Sequence, residues 1–202
     1  MNLLTDALPL TVEVAGREYP IDSSYRCMVR FELLIRSRTV GEEEKAVRSL
    51  QSFYPQEMPG DLQAAMDRLL WFYRCGKKER PQRASAMVSQ RGAAQEIYSF
   101  EYDDDYLYAA FLDQYGLDLQ EHPDLHWWKF KAMFKALRQE NEIVKIMGYR
   151  GMTIDSSMTD AQKRFYAKMK DVHRLPLSED EEEQLRTLER ILMGDGKLPP
   201  DA

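Results

Sequence analysis

Between Thr11 and Ile21 apolar and polar residues alternate: Val12 and Val14 share one face, and Ala15-Gly16 followed by Arg17 can reverse the chain. That period of two predicts a short β-hairpin, and because an isolated hairpin is marginal it must lie on a helical layer. From Asp22 the period changes. Asp22 is placed as the cap of a helix running through Arg38, with Cys27, Phe31, Leu34 and Ile35 on one side. A second helix, EEEKAVRSLQSFY, presents Ala46, Val47, Leu50 and Phe53; its acidic start suits the helix dipole, and Pro55 ends it. Asp61 opens a third, with Leu62, Ala65, Met66, Leu69 and Phe72 as its inner stripe and Gly76 as its stop. Short polar connections make these three helices an antiparallel cluster covered by the hairpin.

The pattern fails from Lys77 to Gln95, where KKERPQRASAMVSQRGAAQ is basic, polar and aperiodic and reads as a linker or long loop. Apolar residues return at Ile97, Tyr98, Phe100 and Tyr102. Asp103 or Asp104 then caps the helix DDYLYAAFLDQY, whose inner side is Leu107, Ala110 and Phe111 and which Gly116 closes. The longest clean helical run lies within His122–Gly151. Pro123 leaves His122 in a loop, Asp124 is placed as N-cap, and Trp127, Phe130, Phe134 and Leu137 recur at helical spacing, widened by Trp128 and Met133. Lys129, Lys131, Lys135 and Arg138 fall on the remaining surface. Ile143, Ile146 and Met147 form a shorter set that Gly148 stops, with Arg150 to Asp155 as loop. A further helix from about Thr159 keeps Met158, Ala161, Phe165, Met169 and Val172 in register until Pro176. Ser178 and Glu181 form a capping box for a last helix with Leu185, Leu188, Ile191 and Leu192. The expected fold is mainly α, a helical bundle with a small N-terminal β-hairpin. It divides into residues 1–76, a basic linker at 77–96, and a helical region at 97–202.

Composition narrows the function classes. The chain has 202 residues, 44% of them hydrophobic, ample for a packed core. A formal net charge of −6 speaks against generic nucleic-acid binding and leaves only a local basic patch, Lys77, Lys78, Arg80 and Arg83, as a nucleic-acid candidate. No aromatic interleaves those charges to stack a base, so a solvated connector is the plainer reading. Cys27 and Cys75 are expected in helices as free thiols in a reducing compartment. The start MNLLTDALPL lacks the basic region and apolar run of a signal peptide, and no stretch approaches a membrane span. A soluble intracellular protein is expected.

Candidate chemistry is sparse. His122-Pro123-Asp124 matches the tripeptide of J-domain co-chaperones, but those follow a basic helix and this one follows an acidic segment. His122 and His126 are four apart, yet Pro123 lies between them and no further ligand pattern supports a metal. Asp103 to Asp105 read as capping and dipole residues, with no calcium-loop spacing after them. Glu179 to Glu183 stabilise a helix start in the same way. Nothing pairs carboxylates or histidines for acid–base work, so no catalytic residue, metal or cofactor is assigned. The HWWKF cluster holds more large aromatics than one helix face can bury, so part of it is expected at the surface. The candidate partner-binding residues are Tyr106, Tyr108, Trp127, Trp128, Phe130 and Met133.

The ordered series YPIDSSYRCMVRFELL, EYDDDYLYAAFLDQYGLDLQ, HWWKFKAMFKAL, KIMGYR and MTDAQKRFYAKMKDVHRLP resembles the phage "gene product fifteen" family across nearly the whole chain. The resemblance implies a protein of tailed phages and prophages, encoded among tail genes near the tape-measure gene. It further implies a non-catalytic tail-assembly chaperone or adaptor that binds the tape-measure protein and other tail-assembly proteins, with self-association. Such a protein acts in the bacterial cytoplasm and leaves the finished virion. Its eleven Met residues suit a surface that adapts to helical clients.

Overall fold

A computed structural model describes residues 2–77 and 96–176. The hairpin pairs β1 (Thr11–Val14) with β2 (Arg17–Pro20) antiparallel, Val12 opposite Tyr19 and Val14 opposite Arg17. Its two-residue turn places Ala15 at φ 48 and Gly16 at φ 80, the two positive angles a turn with the strands' own twist requires. Val12, Val14 and Tyr19 are buried. Seven helices follow among the described residues: α1 (Tyr25–Arg36), α2 (Glu42–Phe53), α3 (Leu62–Tyr73), α4 (Asp104–Tyr115), α5 (Trp127–Lys135), α6 (Glu142–Gly151) and α7 (Asp160–Val172). The mainly α class with an N-terminal hairpin is as expected. The predicted helix over Leu185–Leu192 lies outside the described residues.

The chain divides into two compact units, Met1–Gly151 and Met152–Ala202. The first does not break at the 77–96 linker. Helices before and after it share one core, in which Met28, Phe53, Leu69 and Phe72 meet Phe111, Trp127, Phe130 and Ile143. The division expected at 77–96 therefore gives way to one after Gly151, because the C-terminal aromatics complete the core of the N-terminal helices. In the second unit, Thr159 and Gln162 form a capping box and the Lys170 ammonium donates to the Met152 carbonyl at 2.8 Å. The stripe from Met158 to Val172 keeps helical register, but no residue of α7 is buried.

Two helix caps sit two residues from their expected positions. Ser24, not Asp22, caps α1: its hydroxyl accepts from the Cys27 amide at 3.2 Å, while Asp22 accepts from the Ser24 amide at 3.0 Å. His126, not Asp124, caps α5, its Nδ1 accepting from the Trp128 amide at 3.1 Å. Tertiary pairing selects both. Trp127 N–H donates to the Ser23 carbonyl and Tyr25 N–H to the Leu125 carbonyl, each at 2.8 Å, so the two helix starts are stitched together by a bridge between Ser24 and His126. Asp61 caps α3 as expected, accepting from the Ala64 amide. Gly148 does not end α6. It lies on the exposed side of that helix, where a glycine costs only about 1 kcal/mol, and buried Ile143, Ile146 and Arg150 hold the helix through to Gly151. Arg150 is thus helical and buried, not a loop residue. Cys75 lies past α3 at φ 58, and Cys27 lies within α1; both are free thiols.

The inner faces also shift. Ile35, Val47 and Leu62 were expected inside and are exposed. On α1 the buried position is taken by Glu32, whose carboxylate accepts from the Tyr73 hydroxyl at 2.7 Å and from Arg36 at 2.9 Å. A buried carboxylate is tolerable when its lone pairs are satisfied in this way.

Candidate functional site

The HWWKF cluster is core, not surface. Trp127, Trp128 and Phe130 are 0%, 4% and 2% exposed. Both indoles reach past their own helix to the end of α3. Trp127 Nε1 donates to the Tyr73 carbonyl at 2.9 Å and Trp128 Nε1 to the Phe72 carbonyl at 2.8 Å. The last carbonyls of a helix have no partner within it, and here two tryptophans supply their donors. The rings stack in series: Tyr73 on Trp127 (5.6 Å between centroids), Trp127 on Phe130 (5.6 Å), and Phe130 between Phe111 (4.8 Å) and Tyr25 (5.0 Å). The expectation that one helix face has too many aromatics to bury fails because α5 is covered on several sides at once, by α1, α3 and α4. Met133 is half-buried against the same core. Lys131, assigned to the surface by periodicity, instead rests its ammonium over Trp127 (5.0 Å to the centroid) and Tyr73 (5.8 Å). Burial lowers its pKa, against the pull of Glu32.

Two candidates remain within reach of solvent, both on α4. Tyr106 is 39% exposed. Tyr108 is half-buried and hydrogen-bonds Asp118, which raises the pKa of its hydroxyl. Tyr108 also lines a cleft of about 550 Å³ between α1 and α4. Phe130 forms part of its floor with Tyr25, Leu107 and Leu119, and Val29 and Phe100 flank them. Of the six predicted residues the cleft thus gathers Tyr108 and Phe130. Trp127, Trp128, Tyr106 and Met133 do not line the cleft.

The cleft's charged groups divide into a committed cation and open anions. Arg26 donates to the Leu119 carbonyl (3.2 Å), the Gln120 carbonyl (3.3 Å) and the Gln120 side chain (3.0 Å), and through Nε to the Tyr25 hydroxyl (3.2 Å). That hydroxyl donates in turn to the Leu119 carbonyl at 2.7 Å. Asp104 and Asp105, at the start of α4, line the cleft and are exposed. Tyr25 and Arg26 lie more than ninety residues from Leu119 and Gln120, so no local pattern joins them; Arg26 and Val29 differ only in sitting at the edge of the α1 apolar face.

The third aspartate behaves differently. Asp103 precedes α4 but makes no side-chain cap bond. It turns inward to a two-bonded ion pair with Arg150 of α6 (2.6 and 2.9 Å) and accepts from the Ser99 amide at 2.8 Å. The capping role expected for Asp103 to Asp105 therefore does not extend to Asp103, because the guanidinium outcompetes the amides of the first turn. Among the described residues no group of three His, Cys, Asp or Glu is placed to hold a metal ion, and no helix is long and apolar enough to cross a membrane. Of the basic candidates, Lys77 is exposed at the end of the α3 connection. Lys78, Arg80 and Arg83 lie outside the described residues.

Neither a curated protein nor a solved structure matches the chain. A family model does, from residue 4 to residue 175, spanning the hairpin, the aromatic core and α7. The chain belongs to the Bacteriophage Gp15 protein family.

Proposed function

We propose that this phage protein is a non-catalytic tail-assembly chaperone or adaptor that binds the tape-measure protein, with other tail-assembly proteins, during tail morphogenesis. The observation that carries the reading is the cleft between α1 and α4. Its interior is apolar beneath a rim that carries Asp104 and Asp105, and its one arginine is already tied to backbone carbonyls, so it favours holding a side chain over transforming one. Family membership supports the phage setting, and the resemblance of the ordered aromatic segments implies the tail role. In this reading the protein acts in the host cytoplasm, self-associates, and is absent from the mature virion.

Co-expression with the tape-measure protein encoded beside it, followed by affinity capture and sedimentation, tests the proposal. A soluble complex that co-sediments is expected. A client that stays insoluble, with nothing captured, overturns it.

A further inference from the structure

We propose that the cleft between α1 and α4 is the docking site for a basic amphipathic helix of a partner protein. One or two apolar side chains enter the recess, and a Lys or Arg beside them meets Asp104 and Asp105. The inference rests on the binding role proposed above and gives it a place and a charge.

Three features of the cleft select this occupant. Its interior is apolar, formed by Val29, Leu107, Leu119 and Phe130, and a volume of about 550 Å³ takes a few large side chains, not a folded domain. Its walls are helical residues of α1, α4 and α5 and the turns at Phe100 and Leu119–Gln120, with no strand among them, so no open strand edge invites an extended peptide. A helix anchored through side chains one turn apart is the mode that fits such walls. Its charge is net negative, two carboxylates against one guanidinium. The Arg26 guanidinium is held by Leu119 and Gln120, whereas Asp104 and Asp105 are in no ion pair among the described residues. A lysine or arginine of the partner lays its methylenes along the apolar wall and brings its charge to these carboxylates.

The probe is a synthetic leucine–lysine amphipathic helix of about five turns, roughly 18 residues, with a leucine–glutamate counterpart of the same pattern. Calorimetry and amide chemical-shift mapping on the full chain read binding and its location. The leucine–lysine peptide is expected to shift Val29, Leu107 and Tyr108, to weaken with salt, and to bind about tenfold more weakly to the Asp104→Asn, Asp105→Asn double variant. Val29→Glu, at the half-buried rim, is expected to abolish binding with an unchanged circular dichroism spectrum. Equal affinity for both peptides, equal affinity of the variants, or shifts confined to another face overturns the assignment. The same variants in the co-expression assay separate this inference from the role it rests on. If variants and wild type both solubilise the tape-measure protein, the cleft is not its site and the role stands. If wild type fails there yet the peptide maps to the cleft, the role falls and the cleft remains a site for a basic helix.

Discussion

The indole N–H of Trp128 donates to the carbonyl oxygen of Phe72 at 2.8 Å, so that α5 closes the end of a helix 56 residues earlier in the chain. Trp127 does the same for Tyr73. Replacing Trp128 with Phe keeps most of the ring and removes one of two donors, leaving the Phe72 carbonyl with the Cys75 amide at 2.9 Å. A loss of about 0.5–1.5 kcal/mol is expected in urea unfolding. Trp128→Ala is expected to lose about 3–5 kcal/mol through the cavity as well. Weaker client binding by that variant would therefore reflect the fold, and the α1–α4 rim is the place to probe binding.

Gly76 faces the same indole. It sits at φ 65, and a Cβ added there would come within 2.9 Å of Trp128 Cη2 and 3.3 Å of Trp71. Gly76→Ala combines left-handed strain of about 1–2 kcal/mol with overlap against a buried ring that has no room to retreat. Thermal unfolding is expected to show a loss larger than that of Gly116→Ala. Gly116 has a similar φ of 60, but an added Cβ there meets nothing within 4 Å.

The Asp103–Arg150 pair is buried on both sides. Removing one partner strands the other charge, so Asp103→Asn and Arg150→Met are each expected to cost about 3–5 kcal/mol. The double variant is expected to recover much of that loss, because it buries neither charge. A double-mutant cycle in denaturant measures the coupling, and additive losses would contradict it.

His126 makes stability depend on pH. Its Nδ1 accepts from the Trp128 amide and its Nε2 lies 3.1 Å from the Pro9 carbonyl, so the neutral ring with its proton on Nε2 serves both contacts. Burial is the main cause that lowers its pKa below the ordinary 6.5, and Lys129 adds to it; the Pro9 contact opposes them. The unfolded chain therefore binds the proton more readily. The contribution is full above the unfolded pKa and is lost as pH falls from about 6.5 towards the folded pKa. Between about pH 7.5 and about pH 5.5 the wild type is expected to lose more thermal stability than His126→Asn, which retains a capping side chain without a titrating ring. Parallel curves would show that the ring does not titrate in this window.

The legible part of this molecule is local. The hairpin, the Asp61 cap, the Thr159 start and the inner positions Phe31, Leu50, Leu69, Phe72, Leu107 and Phe111 all follow from period and capping chemistry. The ordered aromatic segments pointed to the family that the comparison shows. Candidate site residues were less legible. Trp127, Trp128 and Phe130 drew attention as large aromatics, and the same property placed them in the core. Of the two candidates on α4 only Tyr108 lines the cleft.

The amino-acid sequence by itself determined the hairpin, the approximate places of the helices among the described residues and which phage family the chain belongs to, because periodicity and ordered motifs are properties of neighbouring residues. Only the tertiary structure decided what covers each face. It buried Glu32 in place of Ile35 by supplying Tyr73 and Arg36, moved the α5 cap to His126, and drew Asp103 away from its helix to Arg150. Those choices depend on partners tens of residues away. Burial of a polar or aromatic group is favourable only when such a partner satisfies it, and no local pattern encodes that partner.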